Sequence, residues 1–285
     1  MPQRQTLDHL LATLAPRRTS ESNFLARNTH PEGFRLYGGQ VLAQALKAAA
    51  DTVDDGRRVH SQHAYFLRPG DPSQPVQLEV ENARDGRSFS SRRVVAIQND
   101  KPILVSSLSF QVPDEGDEFQ PEMPDVPGPE GLVSERDRDL ANGTFNADFQ
   151  ITTGLDLDVR LVEPVDWVNP RPREPVLYAW MKTTGRVPVK PGVHESVLVY
   201  MSDSLLIDVA LAVHGRHYSD GMTTASLDHA MWFHAPCAVD EWLLFVTEGQ
   251  RVGGARGLSR GQFYNQQGVL VATCMQEGML RLTGQ

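Results

Sequence analysis

The sequence predicts an α+β chain of two fused units, each an antiparallel sheet wrapped around one central helix. Three observations predict it: two apolar helical stretches, a series of short β-prone runs after each, and residue echoes that recur in the same order in both halves. At 285 residues the chain exceeds the usual size of a single domain, so two compact units or one large fused unit are both open.

The first helical stretch is Ala-rich and runs from Gly39 to about Val53. Val41, Leu42, Ala45, Leu46, Ala48 and Ala49 cover most of its circumference, which predicts a buried helix. After it, His63 to Leu67, Val76 to Ala83, Ser88 to Gln98 and Pro102 to Gln111 read as strands. Asp71-Pro72, Asp85-Gly86 and Asn99-Asp100 separate them as turns. From Asp114 to about Glu174 the composition shifts to Pro, Asp, Glu and Gly, which predicts a linker with some packed local structure near Phe145 to Val168. A second apolar helical stretch, Val197 to Val213, precedes β-prone runs at Ala225 to Phe233, Glu241 to Glu248, Ala255 to Tyr264 and Val269 to Glu277. Gln266-Gln267-Gly268 is the turn between the last two. The chain therefore divides into an N-terminal unit 1–113, a linker 114–174 and a C-terminal unit 175–285.

The halves echo each other residue by residue. Tyr37-Gly38-Gly39-Gln40 answers Tyr200-Met201-Ser202-Asp203, His63-Ala64 answers His229-Ala230, and Ser88-Phe89-Ser90-Ser91-Arg92 answers Arg256-Gly257-Leu258-Ser259-Arg260. His63 to Gln111 spans 48 positions and His229 to Gln276 spans 47, which suggests a duplicated unit. An all-apolar helix followed by four or five antiparallel strands is buried most economically when the sheet wraps it. This is the hot-dog plan, and two such units fused edge to edge form a double hot-dog with one continuous sheet.

Bulk composition excludes several classes. With 27 basic against 36 acidic residues the net charge is −9, which opposes a broad footprint for nucleic acid or anionic lipid. Two cysteines, Cys237 and Cys274, make neither a disulfide framework nor a four-thiolate metal site and fit a reducing interior. The apolar stretch Leu10 to Ala15, closed by Pro16-Arg17-Arg18, is wrong for a signal peptide and reads as part of a surface helix. No run approaches the length of a bilayer span. A cytoplasmic protein is expected.

Asp203 draws attention on chemical grounds alone. It interrupts an apolar run, with Val197 to Tyr200 before it and Leu205 to Ile207 after. A carboxylate placed there must be paired or hydrogen-bonded, and desolvation raises its pKa toward that of a useful base. Asp208, five residues on in one helix, would point roughly 140° away. A packing or surface role is the plain alternative for either residue.

Three segments carry a resemblance. Ser61-Gln62-His63-Ala64-Tyr65-Phe66-Leu67-Arg68-Pro69-Gly70, Gly86-Arg87-Ser88-Phe89 and Leu227-Asp228-His229-Ala230-Met231-Trp232-Phe233-His234 resemble the acyl-CoA thioesterase II (TesB-type) family, over at least Gly33 to Gln111 and Val197 to Glu277. The resemblance implies that Asp203 on the second helix, Ser226 on the strand before Asp228-His229, and Gln276 on the last strand together hold an attacking water. Thr223 and Thr224 are alternative hydroxyls. It implies that the first half, with Gln40 answering Asp203 and Phe110-Gln111 near the place of Gln276, shapes the site without catalysing. Oxyanion donors are expected among backbone N–H groups near a helix start or a glycine turn. His63, Arg87, Ser88 and Phe89 are candidates for the substrate tunnel or the CoA phosphates, with Arg256 and Arg260 as alternative phosphate contacts. Structural roles fit these residues equally well.

Other patterns carry less. Gly257-Leu258-Ser259-Arg260-Gly261 matches a nucleophile elbow, but that motif needs a following helix and a later His, and no His follows Ser259. His214 and His217 lack further metal ligands. Cys274 has no neighbour that would lower its pKa and reads as a core residue. The expected activity is hydrolysis of acyl-CoA to free fatty acid and CoA, without a metal or redox cofactor, by a homodimer or homotetramer. A hydratase or dehydratase acting on enoyl-CoA on the same fold, and a non-catalytic acyl-CoA binding protein, are the alternatives.

Overall fold

The computed structural model describes residues 6–28, 35–143, 156–166, 169–216 and 221–282. In the first half, α1 (Leu7–Leu14), β1 (Arg17–Arg18) and β2 (Asn23–Ala26) precede the central helix α2 (Gly38–Ala50). Then come β3 (Arg58–Phe66), β4 (Val76–Asp85), β5 (Phe89–Gln98) and β6 (Lys101–Gln111). Next are α3 (Glu135–Asn142), β7 (Leu157–Leu161) and β8 (Val176–Thr183). The second central helix comes in two pieces, α4 (Val193–Ser202) and α5 (Leu206–Ala212). It is followed by β9 (Met222–Ser226), β10 (Asp228–Phe233), β11 (Leu243–Gly253), β12 (Arg256–Asn265) and β13 (Leu270–Leu282).

Among the described residues these strands form one antiparallel sheet in the order β1-β2-β4-β5-β6-β3-β10-β13-β12-β11-β8-β7, with β9 pairing β13. The order on either side of the β3·β10 seam is mirrored: β3, β6, β5, β4, β2 in one unit answer β10, β13, β12, β11, β8 in the other. At the seam His63 lies opposite Ala230 and Ala64 opposite His229. Each unit thus lends an edge strand to the other, and the fold is an α+β double hot-dog.

The local causes are readable. Leu42, Ala43, Ala45, Leu46, Ala48 and Ala49 of α2 are all fully buried, as a helix apolar on every side requires. Val76, Leu78 and Val80 alternate inward along β4. Asn99 and Asp100 both have positive φ, 50° and 58°, the left-handed pair that matches the twist of a two-residue hairpin.

The structure differs from the sequence reading in four places. Leu10 and Leu14 of α1 are at most 2% exposed, so this helix is no mere surface element; the i, i+4 pair joins the core, and Gln44 Nε2 donates to Thr13 O at 3.0 Å. The stretch 114–174 is more than a linker, since it carries α3, and β7, which lies within the packed segment expected near Phe145 to Val168, extends the sheet beyond β8; much of the rest of that segment lies outside the described residues. β2 and β8, which precede each central helix, are strands that the sequence does not announce, because their short runs sit among polar and Pro-rich residues. Finally, the second helix is not continuous from Val197 to Val213. Leu205 has φ 63°, and the Ser204 hydroxyl bonds back to Met201 O at 2.6 Å, taking up a carbonyl freed at the helix end, with Ser202 Oγ 2.9 Å from Val199 O.

Candidate active site

That break places Asp203. It is the C-cap of α4, and Asp208 lies on α5, so the two carboxylates are not set 140° apart on one unbroken helix. The start of α2 lies against the end of α4, while Gly192, N-cap of α4, faces Lys47 and Ala50 at the far end of α2. The two helices run antiparallel as neighbours. The Gly39 N–H donates to Asp203 Oδ2 at 2.7 Å, so a carboxylate from one unit meets an unpaired amide in the first turn of the other unit's helix, where the dipole favours negative charge.

Two glycines make this approach possible. A Cβ on Gly38 would stand 2.8 Å from Asp203 Oδ2 and 2.9 Å from the Phe66 ring, and one on Gly39 would stand 2.7 Å from Tyr200 O. Tyr37 clamps the junction: its hydroxyl donates to Tyr200 O at 2.9 Å, and the two rings meet edge to face at 5.1 Å.

Ser226 ends β9, and its hydroxyl donates to Asp203 Oδ1 at 3.3 Å. Gln276 Nε2 donates to Ser226 Oγ at 2.9 Å. The three residues selected from sequence are therefore in one hydrogen-bonded group. Of the three hydroxyls considered, Ser226 is the one in contact; Thr224 and Thr223 pair with Leu280 and Arg281, further along β13 than Gly278, the partner of Ser226. Three positions after Ser226, His229 would face the opposite side in a regular strand. The chain breaks at Leu227 instead, and the Asp228 carboxylate accepts the Glu277 N–H at 2.8 Å across the gap. Ser226 and His229 consequently both turn toward Gln276, and His229 Nδ1 lies 2.6 Å from Gln276 Oε1.

Burial pushes the Asp203 carboxyl up to about 6, against the opposing pull of the Gln276 amide, the Gly39 N–H and the Ser226 hydroxyl; the charge of Asp208 adds a small rise. Burial pushes His229 down to about 4, with Gln276 acting the other way. Cys237 is pushed up to about 12 by burial, and Cys274 higher still by the same cause, so neither is a ready nucleophile. Ser259 lies mid-strand in β12, 1% exposed. Among the described residues only strand follows it, where a nucleophile elbow needs a helix. Among the described residues no cluster suits a metal ion, and His217 falls outside them.

The other candidate contacts are not brought to this group within the chain. Gln62 and Ala64 face inward on β3, so His63 points outward, its ring edge-on to Trp232 at 5.0 Å. Arg87, Ser88 and Phe89 are exposed near the Arg58 end of β3, since Phe89 and Arg58 both pair with Gln111. Phe66, beside Gly38, is at the other end, about 26 Å of strand away. Arg256 is exposed and paired with Glu277 at 2.9 Å. Its neighbour Gly257 is the residue that faces Ala210 of α5, so Arg256 stands on the outer face. Arg260 bonds Glu248 at 2.5 Å.

Three sequence echoes are shifted by the structure. Gln40 is in the first turn of α2 while Asp203 ends α4, so they are not counterparts in their units. The inward residue answering His229 is Gln62, which donates to Leu42 O at 3.0 Å, and not His63. Gln62 lies opposite Leu108, which therefore takes the place of Gln276, whereas Gln111 pairs with Arg58 at the strand end. Matching by residue identity is one step out of register with the strands, and a single step reverses the face. Sequence reasoning gave no role to Gly38, Gly39, Tyr37, Ser202 or His229; a histidine in a strand of otherwise apolar inward residues was the available signal for the last.

Comparisons with known proteins agree with this architecture. Residues 173–279 match the acyl-CoA thioesterase family and residues 25–111 the acyl-CoA thioesterase N-terminal domain. The chain is 37% identical to acyl-CoA thioesterase 2 of Haemophilus influenzae, over 88% of this chain and 90% of that protein. It is also 37% identical to mouse acyl-coenzyme A thioesterase 8, over 90% of this chain and 83% of that one. The crystal structure of acyl-CoA thioesterase II TesB2 from Mycobacterium marinum superposes with a TM-score of 0.79 at 33% identity, covering 98% of each chain. With this similarity running along nearly its whole length, the chain belongs to the acyl-CoA thioesterase II (TesB-type) family of thioester hydrolases.

Proposed function

We propose that this chain hydrolyses acyl-CoA to a free fatty acid and CoA, with Asp203 as general base and Ser226 and Gln276 orienting the water. The observation that carries the reading is the contact series Gln276 to Ser226 to Asp203, at 2.9 and 3.3 Å, in a largely buried place. A water beside this group gives a proton to the carboxylate while its oxygen attacks the thioester carbonyl. The carbon–sulfur bond then breaks, and the CoA thiolate leaves and is protonated. With a pKa of about 6, Asp203 is roughly nine-tenths ionised at pH 7 and still basic enough to accept a proton. The first unit contributes the Gly39 amide and the glycine gap. It has Leu108 where the second has Gln276, which supports a single hydrolytic site per chain.

A thiol-trapping assay across short, medium and long acyl-CoAs tests the reading. Free thiol must appear in step with acid. Hydration of an enoyl-CoA with the thioester intact would support the hydratase alternative, and binding without turnover the carrier alternative.

A cytoplasmic location is supported by two unpaired cysteines. Assembly as a homodimer or homotetramer through the outer sheet faces is supported by Tyr65, 62% exposed, and Leu67, 45% exposed, near His63. Sedimentation at micromolar concentration checks it.

A further inference from the structure

His229 is 1% exposed, and its ring sits between two groups that are also buried, Ser202 at 0% and Gln276 at 2%. Nε2 lies 3.0 Å from Ser202 Oγ and Nδ1 lies 2.6 Å from Gln276 Oε1. Beyond Gln276 the contacts continue through Ser226 Oγ to Asp203 Oδ1. Five side chains from four elements thus form one series ending on the carboxylate, which the Gln276 amide also bonds directly.

Such a series has a direction, and the imidazole sets it. A neutral ring carries one N–H donor and one acceptor nitrogen. Were the proton on Nε2, the Nδ1 lone pair would face the Gln276 carbonyl oxygen at 2.6 Å, acceptor against acceptor. Turning the amide over relieves that contact but puts the carbonyl oxygen against Ser226 Oγ. The single Ser226 hydrogen is then drawn away from Asp203, and the carboxylate loses the stabilising amide N–H as well. With the proton on Nδ1 every link is satisfied in one sense: Ser202 donates to His229, His229 to Gln276, Gln276 to Ser226, and Ser226 to Asp203. The Ser202 hydroxyl also lies 2.9 Å from Val199 O; its one hydrogen must choose, and the Nδ1–H form commits it to the ring.

We propose that His229 is a positioning residue, held as the Nδ1–H tautomer by Ser202, that fixes the Gln276 amide so the Ser226 hydroxyl hydrogen points at Asp203. The inference rests on reading Asp203 as the base. It adds to that reading the element that makes Gln276 a donor toward the site. Because burial keeps the ring neutral well below pH 7, the tautomer persists across the working range.

Two measurements on the full chain test it. With histidine side chains labelled in nitrogen-15, two-bond proton–nitrogen correlation at pH 7 is expected to show His229 protonated at Nδ1 and bare at Nε2, the reverse of the form that predominates in free neutral histidine. A His229 signal protonated at Nε2 overturns the proposal. In turnover, His229→Leu is expected to lower kcat about 30-fold with KM within about twofold, and His229→Asn, which keeps a donor near the Nδ1 place, to stay within about fivefold of wild type. Equal kcat in wild type and a folded His229→Leu also overturns it, and if that variant fails to fold the spectrum of the wild-type chain decides. Asp203→Asn separates the two readings. If it still releases thiol, the base is misassigned whatever the tautomer; if it is inert while His229 carries its proton on Nε2, only the present inference fails.

Discussion

The Gly39 amide of the first unit donates to the Asp203 carboxylate of the second at 2.7 Å, so the two halves are joined at the residue proposed as the base. The end of α4 and the start of α2 meet there because Gly38 and Gly39 leave no side chain between them. The two units each supply a central helix, and the antiparallel contact of these helices brings both to the carboxylate.

Replacing that carboxylate should separate stability from activity. Asp203→Asn removes the proposed base and is expected to lower kcat at least about 100-fold, measured by thiol release. The folded carboxyl sits at about 6, above its ordinary value of 3.8. The native state therefore holds the proton more tightly than the unfolded chain, and the group's contribution to stability falls as pH rises from about 4 through about 6. The asparagine variant should consequently be more stable than wild type at pH 7.5, by up to about 3 kcal/mol, with the gap closing near pH 4 in denaturant melts.

The same shift fixes the rate profile. The base works ionised, so kcat/KM should rise with pH and reach half its plateau near pH 6, the value burial gives Asp203. A limb centred near 4, where His229 titrates, would transfer the role elsewhere.

Gly38→Ala puts a methyl 2.8 Å from Asp203 Oδ2. The carboxylate or the Phe66 ring must move, and a displacement of this kind at a reacting group costs on the order of 10- to 100-fold in kcat. Steady-state kinetics alongside circular dichroism would distinguish this from unfolding.

Ser226→Ala leaves Asp203 Oδ1 and the Gln276 amide without their shared hydroxyl. A hydrogen bond to a charged group is worth about 1.5–3 kcal/mol, so kcat should fall about 10- to 100-fold. Ser226→Thr should recover most of it.

Ser259→Ala should leave turnover within about twofold of wild type, because that hydroxyl is buried in a strand and makes no hydrogen bond. A large loss in a folded variant would revive the serine nucleophile.

The sequence by itself determined the two central helices, most of the strands and the hairpin at Asn99-Asp100, since apolar periodicity and turn chemistry are local properties. It also determined that Asp203 is a carboxylate set among hydrocarbon. Only the tertiary structure decided that the helix stops at Asp203, that the break at Leu227 turns both Ser226 and His229 toward Gln276, and that the carboxylate meets the Gly39 amide. It likewise decided that His63 and Arg256 face outward and that Leu108 replaces Gln276 in the first unit. The physical reason is that the face a strand residue presents depends on pairing between segments far apart in the chain, where one step of register exchanges inside for outside.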